Sequence, residues 1–278
     1  MDNNSLLKLA INAAIHAGSE ILKVYYTNFL VETKLDNTPV TIADKAASNS
    51  IIKNLASTNI PVLSEEDEQF AYTVRKNWKR IWIVDPLDGT KEFVKRNDEF
   101  TVNIALIENQ QPIIGIIYCP VLKDLYFACK NSGSFKVDKH DVLAILNSTP
   151  NFVNELISKA KKLPLLSLPK IYTIVASRSH LSKELFSHIE KRKYHHTKID
   201  TLNVGSSIKM CWVAEGKAHE YPRFGTTMEW DTAAGQCILE QSGGQLLDLE
   251  TNLPMLYNRE QLKDQNFIAV SASLNYTS

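Results

Sequence analysis

Three apolar segments between residues 101 and 128 limit what this 278-residue chain can form more than any other part of it. They read TVNIALI, IIGIIY and LYFA, and each alternates apolar with other residues or is apolar almost throughout. Turn-forming residues, N-Q-Q-P and K-N-S-G, interrupt and close this part of the chain. Short strands punctuated in this way are typical of an antiparallel meander. The sequence therefore predicts an antiparallel sheet in the first half of the chain.

Helical and strand patterns precede this meander. A helical stripe begins at Leu6, after an Asn-Asn-Ser start that offers caps, and VTIADKAASNSIIKNLAST predicts a second helix. A short strand is predicted at residues 60–63, and RIWIV predicts a buried strand that ends at Asp85. Together with the meander, these elements indicate an α+β region with an antiparallel sheet, which we assign to residues 1–140.

After about residue 140 the pattern changes to alternating strands and helices. The predicted elements are, in order, IYTIVAS, HLSKELFSHIEK, VGSSIKMCWVAEG, AHEYPRF, EWDTAAGQCILEQSGG and FIAVSAS. Glycines close the helices at Gly216 and at Gly243. This alternation favours an α/β region over residues 141–278, and a layered sandwich of sheets and helices rather than a barrel.

Composition and charge exclude some classes of protein. Lys and Arg number 31, as do Asp and Glu, so no overall basic field indicates binding of long nucleic acid. No apolar run approaches the ~20 residues of a membrane-spanning helix, and the N-terminus lacks the pattern of a secretory signal. The four scattered cysteines are typical of buried reduced thiols. We therefore expect a cytoplasmic protein, and leave its oligomeric state and a peripheral association with the inner membrane open.

Acidic residues follow apolar elements at three places in the chain. Glu65 follows the strand at 60–63, Asp85 and Asp88 follow RIWIV, and Asp231 opens a predicted helix. Any one of them alone is commonly a solvated cap or turn residue, and Asp231 would complement a helix N-terminus. Gathered at one point they would repel one another and require cations between them. Carboxylate oxygens without His or Cys suit Mg²⁺ better than zinc or copper.

The residues after Asp88 offer a site for phosphate. Gly89 allows the backbone to approach a ligand closely, and Thr90 begins a predicted helix, TKEFVKR. Free N–H groups at the start of a helix bind phosphate oxygens. One loop could then hold metal through Asp85 and Asp88 and phosphate through its amides, although Asp, Pro and Gly are also ordinary turn formers.

Three motifs resemble those of a known superfamily. SEED, WIVDPLDGTKEF and EWDTAAG occur in the order and at the separations of the inositol-monophosphatase superfamily of Mg²⁺-dependent, lithium-sensitive phosphatases. The resemblance spans most of the chain and implies an αβαβα sandwich. DPLDGTKEF, SRSH, VGSSIK and YPRFGTTMEWDTAAG are similar to its 3′(2′),5′-bisphosphate nucleotidases, in particular the bacterial CysQ-type branch. One departure is Gly225-Thr226-Thr227, where that branch commonly reads Gly-Pro-Thr.

The resemblance also implies roles for individual residues. The implied ligands of two or three Mg²⁺ ions are Glu65, Asp85, Leu87 through its main-chain carbonyl, Asp88 and Asp231. Asp44 and Thr90 would orient and deprotonate the attacking water, where the alternative for each is helix capping. Glu66 and Asp67 match no ligand position. The implied substrate-binding residues are Glu65, Leu87, Asp88, Gly89, Thr90, Ser177, Ser206, Arg223 and Asp231.

The resemblance further implies a reaction and a substrate. It implies hydrolysis of the 3′-phosphate of adenosine 3′,5′-bisphosphate to AMP and phosphate, with action on the sulfated analogue PAPS, during sulfate assimilation. An inositol or sugar-phosphate phosphatase is the alternative within the superfamily, since the metal chemistry would be shared. A catalytically silent nucleotide-binding protein is the alternative from another class, and the complete set of acidic motif residues disfavours it.

Overall fold

The computed structural model describes residues 1–27, 31–33, 39–145, 152–178 and 182–272. The helices in these residues are α1 (Asn3–Tyr25), α2 (Ile42–Leu55), α3 (Tyr72–Arg75), α4 (Thr90–Val94), α5 (Lys139–Ile145), α6 (Phe152–Lys159), α7 (Lys183–Lys193), α8 (Ile208–Glu215) and α9 (Glu229–Gln241). The strands are β1 (Val31–Thr33), β2 (Pro39–Thr41), β3 (Val62–Ser64), β4 (Arg80–Asp88), β5 (Thr101–Glu108), β6 (Gln111–Cys119), β7 (Asp124–Cys129), β8 (Gly133–Asp138), β9 (Lys161–Lys162), β10 (Tyr172–Ser177), β11 (Ile199–Val204), β12 (Glu220–Arg223), β13 (Thr227–Met228), β14 (Gln245–Asp248), β15 (Lys263–Asp264) and β16 (Phe267–Val270).

A seven-stranded sheet contains the predicted meander. Its order is β3-β4-β5-β6-β7-β8-β9, and from β4 onward each strand pairs antiparallel with the next. The exception is β3, which runs parallel to β4 with Ser64 opposite Val84. Parallel strands end at the same edge of a sheet. The residues that follow, Glu65 and Asp85, are therefore brought side by side.

A five-stranded sheet forms the second half, in the order β11-β10-β12-β16-β14. Strand β10 runs parallel to both β11 and β12, whereas β16 runs antiparallel to β12 and β14. The three parallel strands end at one edge, which places Ser177, Val204 and Arg223 along it. This is the edge from which the second sheet reaches the acidic ends of β3 and β4.

Helices and sheets alternate in five layers. Helices α1 and α2 pack on each other and on one face of the seven-stranded sheet, and α9 packs on the other face beside α8. Helix α8 in turn contacts β10, β12 and β16 of the five-stranded sheet. Helix α7 lies on the far face of that sheet, where His188 contacts Glu220 at 2.6 Å while the next residue, Tyr221, faces the inner core. The predicted αβαβα sandwich is confirmed.

Three details of the fold differ from the sequence predictions, extend them or leave them as predictions. Helix α1 is capped by Asp2, whose Oδ1 accepts from the Ser5 amide at 2.8 Å, because Asp2 precedes the Asn-Asn-Ser start that we expected to supply the cap. Strand β4 continues past Asp85 to Asp88. The division at residue 140 stays a prediction; the chain continues beyond it through α5, α6 and β9 in contact with the seven-stranded sheet.

The structure also bears on the membrane and cysteine predictions. Within the described residues, no helix has the length and apolar character needed to cross a bilayer. The four cysteines are all buried and unpaired, as expected from their scattered spacing. Burial raises the pKa of the thiols, which makes them poor nucleophiles and poor metal ligands.

Substitution of Gly115 tests the packing of the two halves. A Cβ on this β6 residue would lie 2.5 Å from the carbonyl oxygen of Ala234 and 2.7 Å from the Cβ of Cys237, both on α9. Because both neighbours are held in a buried helix, we expect Gly115→Val to lower the free energy of unfolding by about 2–3 kcal/mol or more. Ile114→Val is the control and should cost about 1 kcal/mol. Equal urea midpoints for the two variants would contradict the close packing of α9 on β6.

Candidate active site

A bulge in β4 explains how two aspartates three residues apart come to serve one site. Asp85 pairs with Asn103 on β5 and Asp88 pairs with Thr101, so three steps along β4 match two along β5. In a regular strand, residues three apart point to opposite faces, and one extra residue restores them to the same face. Asp85 Oδ1 also accepts from the amide of Leu87 at 3.1 Å, which stabilises the bulge.

Three carboxylates meet at this edge. Oxygen atoms of Glu65, Asp85 and Asp231 all lie within 4.8 Å of one another. Glu65 follows β3, Asp85 lies in β4, and Asp231 lies in the first turn of α9. Glu65 and Asp231 are 166 residues apart in the sequence (231 − 65). The parallel pairing of β3 with β4 and the packing of α9 on this sheet bring the three side chains together.

The electrostatic environment of these carboxylates opposes their ionisation. Burial raises the pKa of Asp85 well above its ordinary value, and the charges of Glu65, Asp88, Asp231 and Asp44 raise it further. Burial likewise raises the pKa of Asp231, with further contributions from Asp88 and Glu65. Cations placed between the carboxylates would reverse this effect, since an opposite charge favours the ionised form.

The donor atoms of the cluster fit Mg²⁺. Each of the three clustered side chains offers a hard carboxylate oxygen, and among the described residues this is the one group of three or more His, Cys, Asp or Glu with metal-ligand spacing. The carbonyl of Leu87 accepts from the Thr90 hydroxyl at 3.4 Å, a long contact that leaves its second lone pair available. Hence the residues present suit a hard divalent ion.

Asp88 is held by hydrogen bonds from the second half of the chain. Its Oδ2 accepts from the Ser206 hydroxyl at 2.6 Å and from the Ser207 amide at 2.6 Å, with Asn103 Nδ2 at 3.4 Å. The Thr101 hydroxyl lies 2.6 Å from that of Ser206 and 2.8 Å from that of Ser207. This network fixes one oxygen of Asp88, and its charge still acts on Asp85 and Asp231.

The remaining residues of the DGT motif begin helix α4. Gly89 has φ of 91°, a left-handed conformation that favours glycine, and it precedes Thr90 at the start of the helix. A Cβ on Gly89 would lie 3.1 Å from the Glu99 carbonyl oxygen and 3.3 Å from the Ser206 Cβ. Asp44 lies in the first turn of α2, 2% exposed, and its charge acts on Asp85.

A cleft of about 260 Å³ opens over the acidic cluster. Most of the residues implied by the motifs line it: Glu65, Asp85, Leu87, Asp88, Gly89, Thr90, Ser177, Arg223 and Asp231. Ser206 does not line it and instead supports Asp88. Asp44 is likewise not among the residues that line it. Ser179 and His180 of the SRSH motif lie outside the described residues.

Sequence reasoning missed a buried lysine in this cleft. Lys209, in the first turn of α8, is 6% exposed and its Nζ donates to the Ser206 carbonyl at 2.5 Å. Burial lowers its pKa to about 8, against the opposing effect of Asp88. The ammonium lies 5.4 Å from the ring centroid of Tyr221, which also lines the cleft. A lone charge within the apolar run SSIKMCWVA was the signal that could have indicated it.

A buried network fixes the start of α9, where Asp231 lies. Glu229 accepts from the amides of Asn258 and Arg259, at 2.6 and 3.0 Å, and from Arg259 Nε at 3.0 Å. Arg259 also pairs with Asp264, which accepts from Thr232 at 2.7 Å. Asp231 Oδ2 accepts from the Met228 amide at 2.9 Å, so the capping role weighed for Asp231 is present alongside its place in the cluster.

Asp85→Asn tests whether repulsion in the cluster is relieved by metal. The substitution removes one charge with almost no change in volume, so in chelator the variant should be more stable than the wild type. The expected gain in unfolding free energy is about 1 kcal/mol, measured as a higher melting temperature. Added Mg²⁺ should stabilise the wild type strongly and the variant weakly, because bound ions stabilise only the folded state. Equal Mg²⁺-induced rises in melting temperature would remove Asp85 from the metal site.

Comparisons with proteins of known family agree with this geometry. The model of the inositol monophosphatase family matches residues 2–277. The 3′(2′),5′-bisphosphate nucleotidase CysQ of Salmonella typhimurium is 42% identical over 248 residues, which is 87% of this chain and 90% of the relative. The CysQ of Escherichia coli K12 is 41% identical with the same two coverages.

Solved structures give the same result. CysQ from Bacteroides thetaiotaomicron, a bacterial member of the inositol monophosphatase family, superposes with a TM-score of 0.87 at 43% identity, covering 97% of this chain and 98% of that one. The suppressor protein suhB from Bartonella henselae shares the fold, with a TM-score of 0.73 at 23% identity, covering 96% and 94%. The chain therefore belongs to the inositol monophosphatase family.

Proposed function

We propose that this protein is a Mg²⁺-dependent phosphatase that removes the 3′-phosphate of adenosine 3′,5′-bisphosphate, giving AMP and phosphate, and that it acts on PAPS in the same way. The observation that carries this proposal is the partly buried Glu65–Asp85–Asp231 cluster in a cleft that Lys209 and Arg223 also line. The family consists of metal-dependent phosphatases, and the relatives at 41–42% identity are named as 3′(2′),5′-bisphosphate nucleotidases. A role in sulfate assimilation and bisphosphate turnover follows from the substrate.

The metal ions are proposed to be two or three Mg²⁺. Their ligands would be the three clustered carboxylates together with Asp88 and the Leu87 carbonyl. Asp88 keeps one oxygen for metal while Ser206 and Ser207 hold the other. Bound Mg²⁺ would neutralise phosphate oxygens and increase the acidity of water at the site.

The water that attacks phosphorus is proposed to be oriented by Asp44 and Thr90. Thr90 lies at the start of α4 in the cleft, with its hydroxyl 3.4 Å from the Leu87 carbonyl. Asp44 is buried and acts electrostatically on Asp85, which supports its position beside the cluster. A buried carboxylate beside a hydroxyl can accept a proton through it, as general base catalysis requires.

Three further residues of the cleft are proposed to bind the second phosphate and the ribose. Arg223 Nε is buried and lacks a hydrogen-bond partner among the described residues, while its Nη2 donates to the Thr226 carbonyl at 3.2 Å. Such an unsatisfied guanidinium nitrogen is costly unless a ligand accepts from it. Lys209 adds a second cation and Ser177 a hydroxyl. Together they suit a leaving group that carries its own phosphate.

The two alternative functions differ from the proposal in what the cleft must contain. An inositol monophosphate offers hydroxyl groups but no second phosphate, so two cations in the same cleft as the metal ligands favour the bisphosphate. A silent binding protein would not require a self-repelling carboxylate cluster. The proposed location is the cytoplasm, in keeping with four unpaired cysteines; peripheral membrane association and oligomeric state stay open.

Phosphate release from three substrates tests the proposal. With Mg²⁺, we expect kcat/KM for adenosine 3′,5′-bisphosphate to exceed that for inositol 1-phosphate at least about 100-fold, or roughly 3 kcal/mol of transition-state binding. The kcat/KM for adenosine 3′-monophosphate should exceed that for inositol 1-phosphate by much less, because this substrate lacks the 5′-phosphate. Chelator and Asp85→Asn should abolish all three activities. Specificity constants within about threefold of each other would support the inositol-phosphatase alternative.

The pH dependence of KM tests the role of Lys209. Its pKa is lowered to about 8, so its positive charge is present below that pH and is lost as the pH rises through it. We therefore expect KM for the bisphosphate to rise by up to about tenfold between pH 7 and 9.5, the equivalent of one lost phosphate contact. Lys209→Arg, which stays charged, should flatten this rise, and Lys209→Met should give a high KM throughout. Parallel KM profiles for wild type and Lys209→Arg would contradict the assignment.

A further inference from the structure

The carboxylate of Glu99 connects three separate segments of the chain near the cleft through hydrogen bonds. Glu99, between α4 and β5, accepts from the Gly205 amide at 2.8 Å and from Arg178 Nε at 2.9 Å through Oε2, and from Arg178 Nη2 at 2.7 Å through Oε1. Arg178 directly follows β10, and Gly205 directly follows β11. Arg178 Nη2 also donates to the Asn203 carbonyl at 2.9 Å. Glu99 thus ties the loop of the first half to the ends of two parallel strands in the second.

Gly205 begins the turn that holds Asp88. The next residue, Ser206, has φ of 58°, an uncommon left-handed conformation for a residue other than glycine. In this conformation the Ser206 hydroxyl and the Ser207 amide both reach Asp88 Oδ2, each at 2.6 Å. Such a backbone conformation persists only where its surroundings fix it. The hydrogen bond from the Gly205 amide to Glu99 fixes the backbone immediately before Ser206.

The alternative is that Glu99 and Arg178 form an ordinary surface ion pair. The Arg178 side chain is 49% exposed and that of Glu99 is 18% exposed, and pairs of this kind contribute little to stability. An ordinary pair would not, however, require a backbone amide as its third partner. Glu99 is the less exposed member, and it receives three charged or amide donors on its two oxygens.

We propose that Glu99 is a positioning residue for the metal site: by holding Gly205 against Arg178, it sets the serine turn Gly205–Ser207 that orients Asp88. This inference rests on Asp88 acting as a metal ligand in the proposed function. Without Glu99, the turn would relax and Asp88 Oδ2 would lose donors, so its other oxygen would no longer be held toward the cleft. The effect should therefore appear in metal affinity before it appears in folding.

Mn²⁺ binding measured by the EPR signal of the free ion, without substrate, tests this directly. Glu99→Ala should weaken Mn²⁺ binding about tenfold and raise the Mg²⁺ concentration for half-maximal phosphate release by a similar factor. Glu99→Gln keeps an oxygen that can accept from the Gly205 amide and should bind Mn²⁺ as tightly as the wild type. The matched control is Glu108→Ala, which removes another Arg–Glu pair, Arg80–Glu108 at 2.6 Å, from the other end of β5; it should leave Mn²⁺ binding unchanged.

The outcomes separate this inference from the proposed function. If wild type binds no Mn²⁺ and shows no Mg²⁺-dependent phosphatase activity, the proposed function fails. If wild type binds Mn²⁺ and Glu99→Ala binds it equally well, with a change in melting temperature alone, the positioning role is overturned. Should Glu99→Ala not fold, Arg178→Ala replaces it: about threefold weaker Mn²⁺ binding is expected, and unchanged binding overturns the proposal.

Discussion

Repulsion among partly buried carboxylates is the physical constraint on which the rest of this structure depends. Glu65, Asp85 and Asp231 place oxygens within 4.8 Å of one another, and burial with mutual repulsion raises the pKa of the two aspartates. Acids separated in this way along the sequence would not approach each other unless the scaffold forced them to. The parallel β3–β4 pair supplies two of them, and α9, fixed through Glu229 and Arg259, supplies the third. Cations then convert the repulsion into binding energy.

The second sheet completes the site from the other side. Its three parallel strands end at the edge that faces the cluster, so a serine turn, an arginine and a buried lysine lie around one cleft. The serine turn reaches across to Asp88, which makes the two halves of the chain interdependent at the site. Packing of α9 directly on β6, at Gly115, maintains the spacing between the halves. Metal affinity, substrate binding and the contact between the two sheets therefore all depend on the same junction between the two halves of the chain.

Elements with strong local patterns could be predicted from the sequence. The prediction of the meander is confirmed, because its apolar pattern and its turns depend only on residues that are close together in the sequence. The segment EWDTAAGQCILEQSGG forms α9 as expected. The acids at 85 and 88 were singled out, but the bulge that turns them to the same face was not, because it depends on pairing with Asn103 and Thr101. Lys209 and Glu99 were missed for a similar reason. Their partners, Ser206, Gly205 and Arg178, come together only through long-range folding, which single-sequence periodicity does not report.

The most direct test of this account is to locate the metal. Crystals grown with Mn²⁺ and a product phosphate, measured at the manganese absorption edge, would show each ion by its anomalous scattering. The account predicts two or three Mn²⁺ ions, each bound by oxygens from the set Glu65, Asp85, Leu87, Asp88 and Asp231, with the product phosphate on the cleft side of the ions. An acidic cluster that stays free of metal at saturating Mn²⁺, with ordered Mn²⁺ only elsewhere on the protein, would contradict it.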